Sequence, residues 1–561
     1  MIGLASGTVH RAPTTLWDDA TTARELRPGR LRIGYGTMRD PGQVGTVFEQ
    51  RDDYRDTPGG LIWQSERTDL VGLDLHFLHG FGIVSQFTRD VAIIGLRMRP
   101  SPGTWRRSVG FADFLHFSGT AGQVQVLGNL FDNPHDDPIN IHGTYLQVAA
   151  IDRARRSIDL RYMHPQTAGF PQFRPGDHVR FVNRGTLLPL TGIYVVRAVD
   201  GPTGTDRGHD LTRMTIGVDR ALPADLAVDD AVAENIDWTP QVRIAGNTFR
   251  DVPTRGVLVT TPRRTVIERN LFQGITMSSV YVSGDADGWY ESGGVNGLTV
   301  RNNVFERPSS NAPVVLIQPT NNRAVAGRTI HRNVDIVANR FTILSGTQLL
   351  SAKSVTGLRF RENLVTRALP TSPEPAPRPL FSLQDSADVA IVGNRYAAGL
   401  NRRIMLTGMS AAAVTSKDGT RINIDAFAPP GVDDQLAAVV SHWSGVSFPP
   451  SDAELNALAV VGSQVGSVTA RFDVAEGGTR IAATFNDDTI ANPAQATCFA
   501  LRPGANTFEV RAYAGEAART YRWTLIADRP GSATVGSTAV PGLFSGEACP
   551  VHPRTDSSPS P

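Results

Sequence analysis

Residues 298–305 read LTVRNNVF, a short β-branched run that ends in an asparagine step and an aromatic side chain. The same asparagine step, followed by an aromatic or an aliphatic side chain, recurs in six further segments, VQVLGNLF (124–131), VRIAGNTF (242–249), TVIERNLF (265–272), VDIVANRF (334–341), LRFRENLV (358–365) and VAIVGNRY (389–396). From Asn247 to Asn394 the asparagines follow at intervals of 23, 33, 36, 24 and 31 residues. Strands at such intervals, without helical periodicity between them, predict an all-β chain built on a right-handed parallel β-helix.

Each coil of such a β-helix contributes three short strands, and every strand hydrogen-bonds to the next coil at a spacing of roughly 4.8 Å. The apolar side chains of Val300, Val304 and Phe305 are therefore expected to stack inward. The recurrent asparagine is expected to cap the strand corner as a structural ladder, not to bind a ligand.

The repeat has one long interruption, because Asn129 and Asn247 are 118 residues apart. Within it, RPGDHVRFVNR (174–184) and GIYVVRAVD (192–200) are typical of antiparallel strands joined by turns, which predicts a small inserted β-barrel. After Ser441 the strands alternate at shorter spacing, a pattern typical of a β-sandwich. The predicted domains are a β-helix over 25–142 and 240–425, a β-barrel over 143–239, a β-sandwich over 442–530 and a flexible tail over 531–561.

Charge and residue usage exclude several classes of protein. Among the 561 residues, 55 basic side chains face 54 acidic ones, so there is no electrostatic footprint for nucleic acid or an anionic membrane. No apolar run reaches the about 18 residues that a membrane span needs. Lysine occurs only at Lys353 and Lys417, outside any Schiff-base or phosphate-loop motif. The two cysteines, Cys498 and Cys549, exclude thiolate metal clusters and allow at most one disulfide, which would need an oxidising compartment.

The densest polar interruption of the apolar strands is 110–143, GFADFLHFSGTAGQVQVLGNLFDNPHDDPINIHG. Asp113 and Asp136 are 23 residues apart, the interval of the shorter coils, so we expect them side by side on one face. Asp137 can face the same cleft only if the chain kinks, which Pro134 and Pro138 favour. One protonated and one ionised carboxyl facing each other is the requirement of glycoside hydrolysis. The alternative interpretation is a solvated turn rich in aspartate and proline.

A second polar region combines TRGVLVTTP (254–262) with DADGWYESGG (285–294). An exposed Trp289 close to Glu291 suits sugar recognition, because pyranose rings stack on aromatic faces while carboxylates accept from hydroxyl groups. Arg255 is a donor for the same hydroxyls. The alternative is that Trp289 only covers the end of a coil.

FADFLHF (111–117), HDDPINIHGTY (135–145), TRGVLVTTP and DGWYESGG (287–294), in this order, resemble glycoside hydrolase family 110. The resemblance covers roughly 51–397 and aligns Asp113, Asp136 and Asp137 with the essential carboxylates of that family. It implies an exo-acting, inverting α-1,3-galactosidase that removes terminal α-1,3-linked galactose from blood-group-B-type or linear α-galactosyl glycans. The last strands resemble the cadherin-like sandwiches appended to secreted bacterial carbohydrate-active enzymes.

The implied mechanism uses two carboxyls of this aspartate group. One protonates the leaving oxygen and the other activates water, and an inverting pair is expected about 6.5–9.5 Å apart. The residues leave open which aspartate is the acid. No metal and no other cofactor is expected. The predicted substrate contacts are His116, Asn140, His142, Arg255, Trp289 and Glu291.

Two other readings stay open. The first is another β-helix polysaccharide enzyme, either a polygalacturonase-like hydrolase with basic subsites for uronates or a lyase that often needs calcium. The second is a non-catalytic glycan-binding surface protein.

Location and assembly are further expectations. A galactose-terminated oligosaccharide or glycoconjugate is the expected partner, and a homodimer is the assembly considered. Secretion or the cell surface is the expected location, although the first 21 residues lack a signal-peptide pattern. Family members carry a longer section before the equivalent of Asp113, so a misplaced start or lost first coils are expected.

Overall fold

The computed structural model describes residues 57–104, 106–202, 211–308, 312–344, 346–368 and 378–417, with shorter stretches at 2–3, 17, 20–36, 46–49, 421–422, 439–444, 456–461, 467–474, 480–486, 488–492, 497–500, 504–514 and 517–527. The chain divides into two compact units, Met1–Asn394 with Gly399–Ala428, and Arg395–Ala398 with Pro429–Pro561. The described helices are two single 3₁₀ turns, Pro165–Thr167 and Ala411–Ala413. None of the helices in the described part of the chain could cross a membrane.

Three parallel sheets run along the first unit, and successive coils supply one strand to each. The cleft sheet contains Pro58–Trp63, Phe81–Gln86, Leu115–Ser118, the start of Ile139–Asp152, Val257–Val259, Val280–Val282, Val315–Ile317, Leu350–Lys353, Phe381–Gln384, Arg403–Thr407 and Arg421–Ile422. The middle sheet contains Glu66–Val71, Arg89–Ile94, Ala121–Leu127, Gln241–Ala245, Thr265–Glu268, Asn296–Arg301, His331–Val337, Val355–Arg361, Ala387–Val392 and Val414–Ser416. The phenylalanine sheet contains Asp74–Leu75, Arg97–Met98, Leu130–Asp132, Thr248–Val252, Leu271–Ile275, Val304–Glu306, Arg340–Ile343 and Leu364–Arg367.

The chain order of these strands is the same in every coil. A cleft-sheet strand is followed by a middle-sheet strand, a turn and a phenylalanine-sheet strand, as in 115–118, 121–127 and 130–132, and the turn contains the recurrent asparagine from Asn129 onward. Each strand pairs in parallel with its counterpart on the next coil. The predicted all-β class, built on a parallel β-helix, is therefore confirmed.

Stacked phenylalanines fill the interior of the β-helix behind the phenylalanine sheet. Phe131, Phe249, Phe272, Phe305 and Phe341 occupy equivalent positions, with successive ring centroids 5.2, 4.6, 4.9 and 4.7 Å apart. These offset rings exclude water from the core and contribute beyond their buried area.

The predicted inward stack is correct for two of its three residues. Val300 and Phe305 are fully buried, but Val304 is only partly buried. Adjacent residues of a strand point to opposite faces, so Phe305 and Val304 cannot both face the core.

The recurrent asparagines form a buried ladder at the corner between the middle and phenylalanine sheets. The side-chain amide of Asn270 donates to Asn303 Oδ1 at 2.9 Å and to the Ile244 carbonyl at 2.9 Å. Its own Oδ1 accepts from the backbone and the side-chain amide of Asn247. The pattern runs from Asn129 to Asn394, which confirms the structural interpretation of the repeat.

An inserted barrel interrupts the β-helix inside its fourth coil. The long strand Ile139–Asp152 leaves the cleft sheet and pairs antiparallel with Ser157–Arg161 and Ala231–Asn235. The ring is completed by the strands Arg213–Val218, Tyr194–Asp200 and His178–Asn183. Its apolar core includes Leu146, Phe173, Phe181 and Ile216. The domain boundaries given above stay predictions, although strands lie at the predicted positions of this insertion.

Short strands before residue 57 precede the first described coil. Ala20–Arg27 and Arg30–Tyr35 form an exposed hairpin, and Ile2–Gly3 pairs with Thr46–Val47.

The second unit contains two further sheets. Val439–Ser444, Ser467–Val474 and Thr497–Ala500 form one, and Asn456–Val461, Ala517–Ala527, Gly504–Ala514, Arg480–Phe485 and Asp488–Ile490 form the other. The ring of Phe499 contacts Phe485 and Phe508 of the larger sheet at 5.0 and 4.9 Å. Cys549 and the tail over 531–561 lie outside the described residues, as does the side chain of Cys498.

Candidate active site

The acidic residues lie where three successive coils enter the cleft sheet. Leu115 pairs with Ile139, and Ile139 pairs with Val257. Residues two positions before these strands therefore stand in one column, which places Asp113, Asp137 and Arg255 side by side. The side-by-side position predicted for Asp136 was wrong by one residue, because the coil offset here is 24 and not 23. The spacing of the sequence repeat includes turns of variable length, so it does not fix the pairing of two strands to one residue.

Asp136 reaches the same place from the turn just before the strand. Residues 133–138 form no regular structure, and Asn133 takes the left-handed conformation with φ of 54°. One carboxyl oxygen from each of Asp113, Asp136 and Asp137 lies within 4.8 Å of the others. Their exposures are 5%, 4% and 0%, so the alternative of solvated carboxylates is wrong.

Arg255 provides the positive charge of this cluster. Its guanidinium Nη2 lies 2.6 Å from Asp137 Oδ2, and its backbone N–H donates to Asp137 Oδ1 at 3.1 Å. Burial raises the pKa of Asp137 well above its ordinary value, and Asp136 and Asp113 raise it further, whereas Arg255 acts in the opposite direction. The cluster therefore resists carrying all its negative charges at once, as acid–base chemistry at one site requires.

Four more predicted residues surround Asp113. His116 Nδ1 lies 2.9 Å from Asp113 Oδ2, and the side-chain amide of Asn140 donates to the same oxygen at 3.3 Å and to Glu291 Oε1 at 3.2 Å. The nitrogen Nε2 of His142 lies 3.2 Å from His116 Nε2 and 3.6 Å from Glu291 Oε1. His116, Asn140 and His142 share the outward face of the cleft sheet, because 116 pairs with 140 and the strand period is two.

Glu291 reaches the site on a loop that folds back against the cleft sheet. Gly143 and Thr144 pair antiparallel with Ser292 and Glu291. A Cβ at Gly143 would lie 2.3 Å from Ser292 Oγ, so a larger residue here would require the Ser292 side chain to move.

Trp289 is placed differently from the other predicted contacts. Its indole is 48% exposed, and its ring centroid lies 4.5 Å from that of His164, in the inserted barrel. Asp285 fixes the loop by accepting from the backbone N–H groups of Asp287, Gly288 and Trp289. Trp289 therefore stands on the rim between the loop and the barrel, and its role in substrate binding stays a prediction.

Two site-supporting residues were missed in the sequence. Tyr281 pairs with Leu258 on the adjacent strand of the cleft sheet, and its ring lies 5.8 Å from the Arg255 guanidinium carbon. Its position inside the apolar segment VYV, one coil after Leu258, is a signal that could have been used. Glu49 binds His135 at 2.6 Å from 86 residues away, and no local pattern marks such a contact. Burial acts to raise the pKa of Glu49, but the hydrogen bond and charge of His135 outweigh it and leave the pKa below its ordinary value.

The separation expected for an inverting pair is not found among the nearest oxygens of the cluster. They lie within 4.8 Å, whereas 6.5–9.5 Å was predicted. The prediction assumed one acid opposite one base, but the register and the turn bring three carboxyls to one point.

Oxygens this close are also the donors that a divalent cation prefers. Asp113, Asp136 and Asp137 are the described residues that could hold one, but the Arg255 guanidinium already pairs with Asp137. The arrangement supports proton transfer balanced by an internal cation.

Known proteins resemble this chain in sequence, both in the inserted barrel and over most of its length. Residues 157–232, inside the inserted barrel, match the family model described as GLAA-B beta-barrel domain II. The chain is 42% identical over 491 residues to alpha-1,3-galactosidase A of Peterkaempfera griseoplana, covering 81% of this chain and 65% of that protein. It is 42% identical to alpha-1,3-galactosidase A of Streptomyces avermitilis, covering 70% of this chain and 63% of that protein. The enzyme of the same name from Bacteroides thetaiotaomicron is 38% identical, with 61% of this chain and 58% of that protein covered.

This chain is a homologue of the α-1,3-galactosidases. The resemblance to glycoside hydrolase family 110, predicted from four sequence motifs, is thereby confirmed. The chain spans somewhat less than two thirds of the length of the first two relatives.

Proposed function

We propose that this protein is an exo-acting glycoside hydrolase that removes terminal α-1,3-linked galactose from glycans. The observation that carries the proposal is the meeting of the Asp113, Asp136 and Asp137 carboxyls within 4.8 Å beside Arg255. Because these carboxyls are almost completely buried, they suit the end of a glycan better than an internal segment of a polysaccharide. The names of the homologues supply the substrate class.

The proposed reaction needs one proton donor and one proton acceptor from the aspartate group. A protonated carboxyl gives its proton to the glycosidic oxygen, while an ionised carboxyl takes a proton from the attacking water. Burial and the neighbouring carboxyls raise the pKa of Asp137, which favours a protonated carboxyl in the group, whereas the Arg255 guanidinium beside it favours the ionised form. Asn140, Glu291 and the histidines offer hydrogen bonds to sugar hydroxyls on the same face.

Inversion of configuration belongs to the proposal as an implication of the family. The short carboxyl separation is compatible with it when two carboxyls hold the attacking water together and the third protonates the leaving oxygen. The test is proton NMR of the first product formed from an α-1,3-galactosyl disaccharide. Inversion predicts initial β-galactose, and initial α-galactose would establish retention.

Substrate comparison separates this proposal from its rivals. Hydrolysis of the α-1,3-galactosyl disaccharide, without cleavage of polygalacturonate, is expected. Activity should persist in EDTA, because Arg255 supplies the cation of the site, whereas a calcium-dependent lyase would lose it. A glycan-binding protein without catalysis would retain galactoside binding when the aspartates are changed and show no hydrolysis in either form.

The proposed partner is a galactose-terminated oligosaccharide or glycoconjugate, and the proposed location is outside the cell or at its surface. Substrates of this kind occur on secreted and surface glycans, which supports that location. Cell fractionation of the producing organism with an antibody to the chain would test it. A homodimer stays a prediction, to be tested by light scattering.

A further inference from the structure

A chain of three hydrogen bonds leads from the acidic cluster to the backbone. Asp113 Oδ2 lies 2.9 Å from His116 Nδ1, and His116 Nε2 lies 3.2 Å from His142 Nε2. The other nitrogen of His142, Nδ1, lies 2.7 Å from the carbonyl oxygen of Gly143. We call this the histidine chain.

The identity of the donors follows from the end of the histidine chain. A carbonyl oxygen only accepts, so His142 Nδ1 must carry the hydrogen of its bond to Gly143. A neutral His142 then presents Nε2 as an acceptor, and His116 Nε2 must donate to it. His116 Nδ1 would be left without a hydrogen, facing a carboxylate oxygen of Asp113. Two acceptors cannot form a hydrogen bond.

Three hydrogen bonds need three hydrogens, but two neutral imidazoles supply only two. We infer that the histidine chain holds one proton more than a carboxylate and two neutral imidazoles would hold, and that this proton makes His116 an imidazolium. His116 is then the counter-ion of Asp113, as Arg255 is of Asp137. The count rests on geometry alone, while the consequence for turnover rests on the proposed function.

Two observations place the additional proton on His116 and not at either end. Asp113 Oδ2 also accepts from Asn140 at 3.3 Å, and an oxygen that receives two donors is best ionised. His142 is fully enclosed, and burial lowers its pKa, which disfavours a charge on that ring. His116 is the more exposed ring of the two and packs against Phe81 with centroids 5.1 Å apart.

A proton on His116 offsets part of the negative charge of the groups around it. The titratable and charged groups that surround the histidine chain and the carboxyl it contacts are Asp113, Asp136, Asp137, Glu291, His142 and Arg255. Without a charge on His116, the four carboxyls of this group would have Arg255 as their one cation. An imidazolium lowers the repulsion and holds the Asp113 carboxyl in one orientation. His116 and His142 are therefore positioning residues that act through Asp113.

The protonation state can be read directly from ring-nitrogen NMR of the full chain labelled with ¹⁵N-histidine. The His116 signals are assigned by their loss in His116→Gln. Between about pH 5 and 7, hydrogens on both His116 nitrogens are expected, with His142 protonated only on Nδ1. A His116 nitrogen without hydrogen throughout this range would overturn the inference. No substrate is needed, so the result stands even if the proposed galactosidase activity fails.

Kinetics supply the second measurement. His116→Gln keeps a donor for Asp113 but cannot carry the charge, so kcat should fall about 10²-fold with KM within about threefold. A lost positioning role lowers kcat, whereas a lost substrate contact would raise KM. An unchanged kcat would overturn the positioning role.

The matched control is His178→Gln in the barrel. His178 Nδ1 forms the same kind of contact with Asp237 Oδ2, at 3.0 Å, outside the acidic cluster. This variant should keep the wild-type kcat. Thermal unfolding of both variants checks that a loss of rate is not a loss of folded protein.

Discussion

Arg255 compensates part of the negative charge of three neighbouring buried carboxyls. It binds Asp137 through both its guanidinium and its backbone N–H, so the charge and the position of that carboxyl depend on one residue. Removing one partner of a buried pair leaves the other uncompensated, which is more costly than never having formed the pair. The chemistry of the site therefore depends on a residue that lies one coil away from the carboxyl it binds.

Asn substitutions at the three aspartates should each reduce turnover by at least about 10²-fold, because amides neither release nor accept the required proton. The thermal midpoint should stay the same or rise for Asp136→Asn, which removes one of several crowded negative charges, but should fall for Asp137→Asn, which takes away the carboxylate that pairs with Arg255. Initial rates and calorimetry measure both effects. Asp237→Asn on the barrel is the control. An Asp113→Asn enzyme of normal rate would remove that residue from the mechanism.

Arg255→Met should shift the acid limb of kcat/KM to higher pH. Burial already raises the pKa of Asp137, and loss of the opposing guanidinium raises it further, so a higher pH is needed to ionise this carboxyl. Activity at neutral pH should fall about 10²-fold.

A pH profile of Arg301→Met gives the comparison, since Arg301 contacts buried Glu268 at the same 2.6 Å on the middle sheet. A profile of Arg255→Met that coincides with wild type would mean that the guanidinium does not control the charge of Asp137.

At the scale of elements, local repetition made the strands and the asparagine ladder predictable. Each coil repeats the same run, so neighbouring residues alone indicated strand, corner and buried aromatic. The register was not predictable to one residue, because turn lengths such as that of 133–138 are set by packing between coils. The contact from Glu49 to His135 and the separation of the carboxyls were missed for the same reason, since both depend on residues far apart in sequence.

The ladder makes a prediction about stability. Asn270→Ala would leave the backbone and side-chain amides of Asn247 without their acceptor inside the β-helix, at about 1–3 kcal/mol for each buried group. A loss of about 3 kcal/mol in the free energy of unfolding is expected from urea titration. Gln241→Ala, at an exposed position of the middle sheet, should cost less than about 0.5 kcal/mol. Equal losses in the two variants would contradict a ladder that carries stability.

At the scale of the whole molecule, every residue of the acidic cluster and the histidine chain belongs to the first unit. The β-helix coils, with the start of the strand Ile139–Asp152, supply all of them. The second unit is a set of β-sheets with its own aromatic contacts. We therefore predict that the first unit carries out the proposed hydrolysis without the second.

A chain ending at residue 428 should therefore hydrolyse an α-1,3-galactosyl disaccharide with kcat and KM within about twofold of the full chain, because its catalytic groups and their ion pairs are intact. Circular dichroism and thermal unfolding first establish that the shortened chain is folded. Asp136→Asn in the shortened chain is the control for background hydrolysis. A folded 1–428 chain with a kcat reduced by tenfold or more would show that the second unit contributes to the reaction itself.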